Sequence, residues 1–128
     1  MPRKRKKSNK KLTGKTSIET KVALLLHDMH YAYEEQIVID KYTVDFLVNK
    51  KYIVECYGDF WHCNPHQYTS SYYNRGKKKT AEEIWKRDAE RKKTFEQLGY
   101  KFICLWESEI KEDIPVVRRR LKRNIKKD

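Results

Sequence analysis

Three acids and a histidine are spaced along this chain in a way that suits phosphate chemistry, with a fourth acid, Glu19, as a weaker candidate upstream. Asp45 and Glu55 stand inside two strongly β-forming runs, YTVDFLV and YIVECY, and His62 follows in GDFWH. Asp88 and Arg91 come from WKRDAER, which reads as helix, and Glu19 from an earlier helical stretch. A carboxylate in a half-buried strand costs on the order of several kcal/mol unless something neutralises it. A divalent cation taken between oxygen ligands would do so, and such a cation can drive phosphodiester hydrolysis. Histidine downstream of the two strand acids is the side chain suited to move a proton near neutral pH. Each residue also has a plainer reading. The strand acids could lie on solvated edges or pair with lysines, and Asp88 with Arg91 could form an exposed helical ion pair. Glu19 could be only a cap, and His62 only a packed ring.

The elements that must position these groups follow from periodicity. Thr16-Ser17-Ile18-Glu19 opens a helix as a capping box, and Ile18, Val22, Leu25, Leu26 and Met29 give it one apolar stripe. Three strand-like runs follow, at about 36–40, 42–48 and 51–57. Asn49-Lys50-Lys51 is a candidate hairpin turn between the last two. A three-residue turn there sets Val48 against Tyr52 and Asp45 against Glu55, so that both carboxylates project to one face. A two-residue turn would break that register. Residues 63–79 lack periodicity and read as a long loop, a common place for function. Thr80-Ala81-Glu82-Glu83 is a second capping box, for a helix ending near Leu98 and Gly99. Ile84, Asp88, Arg91, Phe95 and Leu98 share its inward stripe. YKFICLW at 100–106 reads as a buried strand, and a final helix starts near Asp113-Ile114-Pro115 with Ile114, Val117 and Leu121 on one face. The order αβββαβα predicts an α/β fold, a small mixed sheet flanked by helices.

The chain of 128 residues carries a net charge of +12, and that charge is uneven. Residues 1–15 hold eight Lys/Arg and no acid, and residues 116–128 hold seven Lys/Arg against Asp128. The stretch between, 16–115, has 15 bases and 17 acids, a balance of −2. Basic ends are the footprint of a polyanion partner, or else solubilising or targeting tails. The predicted organisation is a basic arm without structure over 1–15, a folded domain over 16–112 and a basic helix over 113–128. Within the 63–79 loop, Tyr68, Tyr72 and Tyr73 lie among Arg75, Lys77, Lys78 and Lys79, a mixture that can stack on bases and hold phosphates, or simply be a surface loop. Three cysteines without a C-x-x-C pair argue against a disulfide framework and for a reducing, cytoplasmic setting. No run is apolar enough to span a membrane, and no signal-peptide pattern is visible.

Taken in order, VDFLV, IVECYGDFWH, the W-x-R-D pattern before LGYKFICLW, and Glu19 on the first helix resemble the very short patch repair (Vsr) endonucleases. They are also similar to the EDxHD homing endonucleases and the wider PD-(D/E)XK nuclease superfamily. The resemblance covers about residues 17–110. It implies a restriction-endonuclease-like fold and a Mg²⁺-dependent cut or nick in double-stranded DNA. It further implies that Asp45 is the principal metal ligand, helped by Glu55 and the backbone carbonyl of Cys56. His62 would activate the attacking water or pass a proton. Asp88 would orient His62 or join a second metal site, and Glu19 would bind water or metal.

Two departures stand out. Tyr57 occupies the place where the superfamily usually has lysine and where the patch-repair enzymes often have histidine. Asp59 and Ser108 stand where those enzymes have zinc-binding cysteines, and Cys63 with His66 cannot complete a tetrahedral site, so structural zinc is not expected. The reading that results is a small endonuclease of phage or mobile-element type, acting on DNA in a bacterial or phage-infected cell. A nuclease-fold protein that binds DNA without cutting it, and a basic RNA- or ribosome-associated protein, are the alternatives.

Overall fold

The structure, a computed structural model, describes residues 16–126. The basic arm expected over 1–15 lies outside the described residues. Helix α1 (Ser17–Asp28) begins on Thr16, whose hydroxyl accepts from the Glu19 N–H while the Glu19 carboxylate accepts from the Thr16 N–H, at 3.2 and 3.1 Å. Strands β1 (Tyr33–Ile39), β2 (Tyr42–Val48) and β3 (Tyr52–Tyr57) form an antiparallel meander. The segment 58–100 then carries the chain over to β6 (Lys101–Trp106), which pairs parallel to β3. A parallel pair needs such a crossover, and here it consists of a loop, a short hairpin and helix α2 (Ala81–Gln97). The hairpin strands are β4 (Tyr73–Asn74) and β5 (Lys79–Thr80). Helices α3 (Glu107–Glu112) and α4 (Ile114–Asn124) close the chain. The sheet order is β1-β2-β3-β6.

The expected α/β architecture is what the structure shows, with helices on both faces of one mixed sheet. On one face α1, α3 and α4 bury Val22, Leu26, Ile110, Val117 and Leu121 against Phe46, Val48, Val54 and Leu105. On the other, Phe95 of α2 packs among Ile39, Val44, Leu47 and Ile53. The hairpin register is the one a three-residue turn predicts, with Val48 opposite Tyr52. Asn49 and Lys50 both have positive φ, and the Lys51 N–H bonds the Val48 carbonyl, a tight turn whose twist matches the strands.

Three expectations change. The first strand starts earlier than predicted, at Tyr33. Leu98, assigned to the inward stripe of α2, is the helix cap and is 53% exposed, one turn beyond Phe95, the last residue of the helix that is buried. Helix α3 was not foreseen, since its six residues bury only Ile110 and offer no periodicity to detect. The second capping box forms as predicted, with Glu83 N–H donating to Thr80 Oγ1 at 3.3 Å and Thr80 N–H to Glu83 Oε1 at 2.9 Å. Thr80→Ala should therefore cost about 1 kcal/mol in urea unfolding, and a loss below a few tenths would show that hairpin contacts hold this end of α2 instead.

Candidate active site

Asp45 stands where the sheet is locally unzipped on both sides. The β1–β2 ladder skips the pair that Gln36 would make with it, and Gln36 takes a positive φ of 52°. The β2–β3 ladder ends at Phe46–Val54, one step before Asp45 could meet Glu55. In place of a strand carbonyl, the Asp45 carboxylate accepts the Cys56 N–H, at 2.8 Å. Glu19 reaches the same point from α1, close enough for a side-chain hydrogen bond with Asp45 when one of the two is protonated. Burial pushes the Asp45 carboxyl up to about 8, and the negative charges of Glu19 and Glu55 add to that, against the Cys56 hydrogen bond. A carboxylate held under such strain is a place where a cation is worth most. The donors gathered there are oxygens, which suit Mg²⁺ better than zinc. Among the described residues, no group of three or more His, Cys, Asp and Glu side chains converges on one point.

His62 lies in a tight turn after β3, closed by its own N–H on the Gly58 carbonyl. Its Nδ1 is 2.9 Å from Asp88 Oδ2, which comes from α2. With the Asp88 carboxylate as acceptor, Nδ1 carries the hydrogen and Nε2 is left as the basic nitrogen. The imidazole also lies flat on the Tyr57 ring, with centroids 3.8 Å apart and planes 7° from parallel. Asp88 is thus joined to His62 rather than to Arg91, the helical pairing that sequence left open.

Glu55 has a different partner from the one expected. Arg91 takes both of its oxygens, Nε to Oε1 at 3.0 Å and Nη2 to Oε2 at 2.7 Å, and also donates to the Thr43 carbonyl. Its guanidinium lies over the Tyr42 ring as well. The clamp ties α2 to β2 and β3 and neutralises a carboxylate that is almost fully buried. Sequence placed Asp88 and Arg91 on one inward stripe, but their partners are remote in the chain and no local pattern names them.

Glu19, Asp45, Glu55, Cys56, His62 and Asp88 all line a single cleft of about 580 Å³, together with Tyr57, Arg91 and Lys77. The five predicted catalytic side chains are therefore brought together, with Glu55 already engaged by Arg91.

The loop expected over 63–79 is a pinned structure. Fully buried Asn74 donates to the Phe60 carbonyl and to Cys63 Sγ, while its own Oδ1 accepts the Lys77 N–H. Trp85 Nε1 donates to the Cys63 carbonyl at 2.6 Å, fastening the loop to α2. Of the residues singled out there for nucleic acid, Lys77 lines the cleft, whereas Tyr68 is tucked against Cys63, Ala81 and Ile84. Tyr72, Tyr73, Arg75 and Lys78 are exposed, and Lys79 is half-buried. Sequence reasoning missed Trp61, which is half exposed beside His62 and lies on Gly76, where a Cβ would come within 2.6 Å of its ring. Asp59 and Ser108 do meet: Asp59 Oδ1 accepts from Asn64 Nδ2 at 2.9 Å and Ser108 Oγ at 3.4 Å. The Ser108 bond, with the Asp59 N–H donating to Glu107 Oε1 at 3.1 Å, fastens the turn after β3 to α3.

The fold has a counterpart among solved structures. The catalytic domain of the homing endonuclease I-Bth0305I is similar, with a TM-score of 0.60 over 84% of this chain and 92% of that one, at 20% sequence identity. At that identity the likeness establishes the fold, that of a homing endonuclease catalytic domain. No family model and no curated protein matches the sequence.

Proposed function

We propose that this chain is a divalent-metal-dependent endonuclease that hydrolyses phosphodiester bonds in double-stranded DNA, similar to the EDxHD and very short patch repair enzymes of the PD-(D/E)XK superfamily. The observation that carries this reading is the half-buried Asp45 carboxyl, beside Glu19 at a gap in the sheet, in the same cleft as the His62–Asp88 pair. A structural acid would have a neutralising partner, as Glu55 has in Arg91. Asp45 has another acid.

In this reading Asp45, the Cys56 carbonyl and Glu19 would hold Mg²⁺. Two or three protein oxygens suit an ion that keeps several of its waters. When bound, the ion would stabilise the charge that gathers on the phosphate and the leaving oxygen. His62 Nε2 accepts a proton from the attacking water or returns one to the leaving group, while Asp88 holds the ring in the required tautomer. Glu55 serves as the counter-charge to Arg91. Lys77, Trp61 and the exposed residues of the β4–β5 hairpin contact DNA at the mouth of the cleft, where aromatic faces and cations can act on bases and phosphates. The basic termini add affinity that is independent of sequence and falls with salt.

The test is plasmid cleavage. Supercoiled DNA should be nicked or linearised with Mg²⁺ and left intact with excess EDTA, and Asp45→Ala should lose cleavage while still shifting duplex DNA on a gel. Intact plasmid over a range of metals, with duplex binding retained, would favour a non-cutting DNA-binding protein. RNA outcompeting duplex DNA would favour the RNA-associated reading.

A further inference from the structure

The position where the wider superfamily carries lysine is occupied here by a buried aromatic ring, and the structure shows what that ring touches. Tyr57 is the last residue of β3, 6% exposed, with the His62 imidazole stacked on one face. Its other neighbours are the Trp106 ring, edge-on with centroids 5.4 Å apart, and the Phe102 ring at 6.4 Å. The tyrosine is therefore held by β6 and in turn holds the histidine. Asp88 grips the imidazole by one nitrogen only, a contact about which the ring can still swing. A parallel ring at 3.8 Å removes that swing and fixes the plane in which Nε2 points. An aromatic face also tolerates both protonation states of imidazole, through stacking when neutral and cation–π attraction when charged. The stack can thus persist while the histidine gains and loses its proton.

We infer that Tyr57 is a positioning residue for His62, and that the ring replaces the superfamily lysine with a support for the histidine instead of a second cation. The inference rests on the nuclease reading of the same cleft. It makes a prediction that the view of Tyr57 as a lost catalytic residue does not: putting lysine back should harm the protein.

Single-turnover cleavage of plasmid under saturating protein and Mg²⁺ decides the matter, with duplex affinity measured separately in Ca²⁺. Tyr57→Phe keeps the ring and should cut within about threefold of wild type. Tyr57→Leu and Tyr57→Lys should cut roughly 10- to 100-fold more slowly with unchanged DNA affinity, as expected when a proton-transfer group is misoriented. A loss from misfolding alone is separated by a double-mutant cycle: Tyr57→Leu should slow wild type but add almost nothing to His62→Ala. In the metal-free protein, the upfield ring-current shift of the His62 ring protons should survive in Tyr57→Phe and vanish in Tyr57→Leu. Tyr57→Lys cutting as fast as wild type would overturn the inference, as would Tyr57→Leu slowing His62→Ala by the factor it imposes on wild type. A wild-type protein that cuts nothing would overturn the nuclease reading and this one together, whereas an active wild type with an active Tyr57→Lys would overturn this one alone.

Discussion

Asp45→Asn should abolish cleavage and, in the metal-free protein at pH 8, raise the melting temperature. The two effects have one origin. In the folded chain the Asp45 carboxyl is pushed up to about 8 from an ordinary value of 3.8, because it is half-buried and faces Glu19 and Glu55. Between those two values the folded state holds a proton that the unfolded state has released, so folding is favoured on the acid side. That contribution is complete below about 4 and is lost as the pH rises through 8. Asparagine has no proton to lose there and can still accept the Cys56 N–H, so its stability should not decline over that interval for this reason. Discounted for partial solvent access, the difference is on the order of 1–3 kcal/mol, or roughly 5–10 °C in melting temperature for a domain of this size. Differential scanning calorimetry of both proteins in EDTA at pH 5 and pH 8 measures it. Mg²⁺ should then raise the melting temperature of wild type at pH 8 and leave Asp45→Asn unmoved. Parallel pH curves for the two proteins would show that Asp45 is not the strained acid. An equal response to Mg²⁺ would place the cation elsewhere.

The second large effect belongs to the Glu55–Arg91 clamp. Removing the guanidinium strands a carboxylate whose side chain is only 6% exposed, and breaking a buried pair from one side costs about 3–5 kcal/mol. Arg91→Ala should therefore consume much of the stability of a domain this small. Urea unfolding is the measurement, and replacing both partners, Glu55→Leu with Arg91→Met, should recover most of the loss because neither charge is then left alone. A cost below about 1 kcal/mol for Arg91→Ala would mean that water satisfies Glu55. The same pair separates two roles for Glu55. Glu55→Gln can still bond Arg91, so cleavage should stay within about tenfold of wild type at temperatures where the protein is folded. A loss as deep as that of Asp45→Asn would put Glu55 among the metal ligands.

Much of the scaffold was legible because its signals are local. The β2 and β3 runs, the Asn49–Lys50 turn, both capping boxes and the stop at Gly99 depend on residues within a few positions of one another. The Val48–Tyr52 register follows from them. The short hairpin was not legible, because its two-residue strands are held by the side chain of Asn74, reaching back to the Phe60 carbonyl and Cys63.

The same division runs through the site. By itself the sequence determined that Asp45, Glu55 and Asp88 had to be accounted for, since charged groups sat at positions where β and helical periodicity demanded burial, and it set His62 just downstream of the strand acids and Glu19 on the first helix. The resemblance it carries also marked Tyr57 as a departure from the family pattern. Only the tertiary structure decided which acid is neutralised and which is not. Arg91 lies 36 residues from Glu55, and Asp88 lies 26 from His62. Pairings across such distances depend on how α2 crosses the sheet, which is a property of packing. That crossing gives Glu55 its cation and His62 its carboxylate, and leaves Asp45 facing the Glu19 carboxylate without a cation.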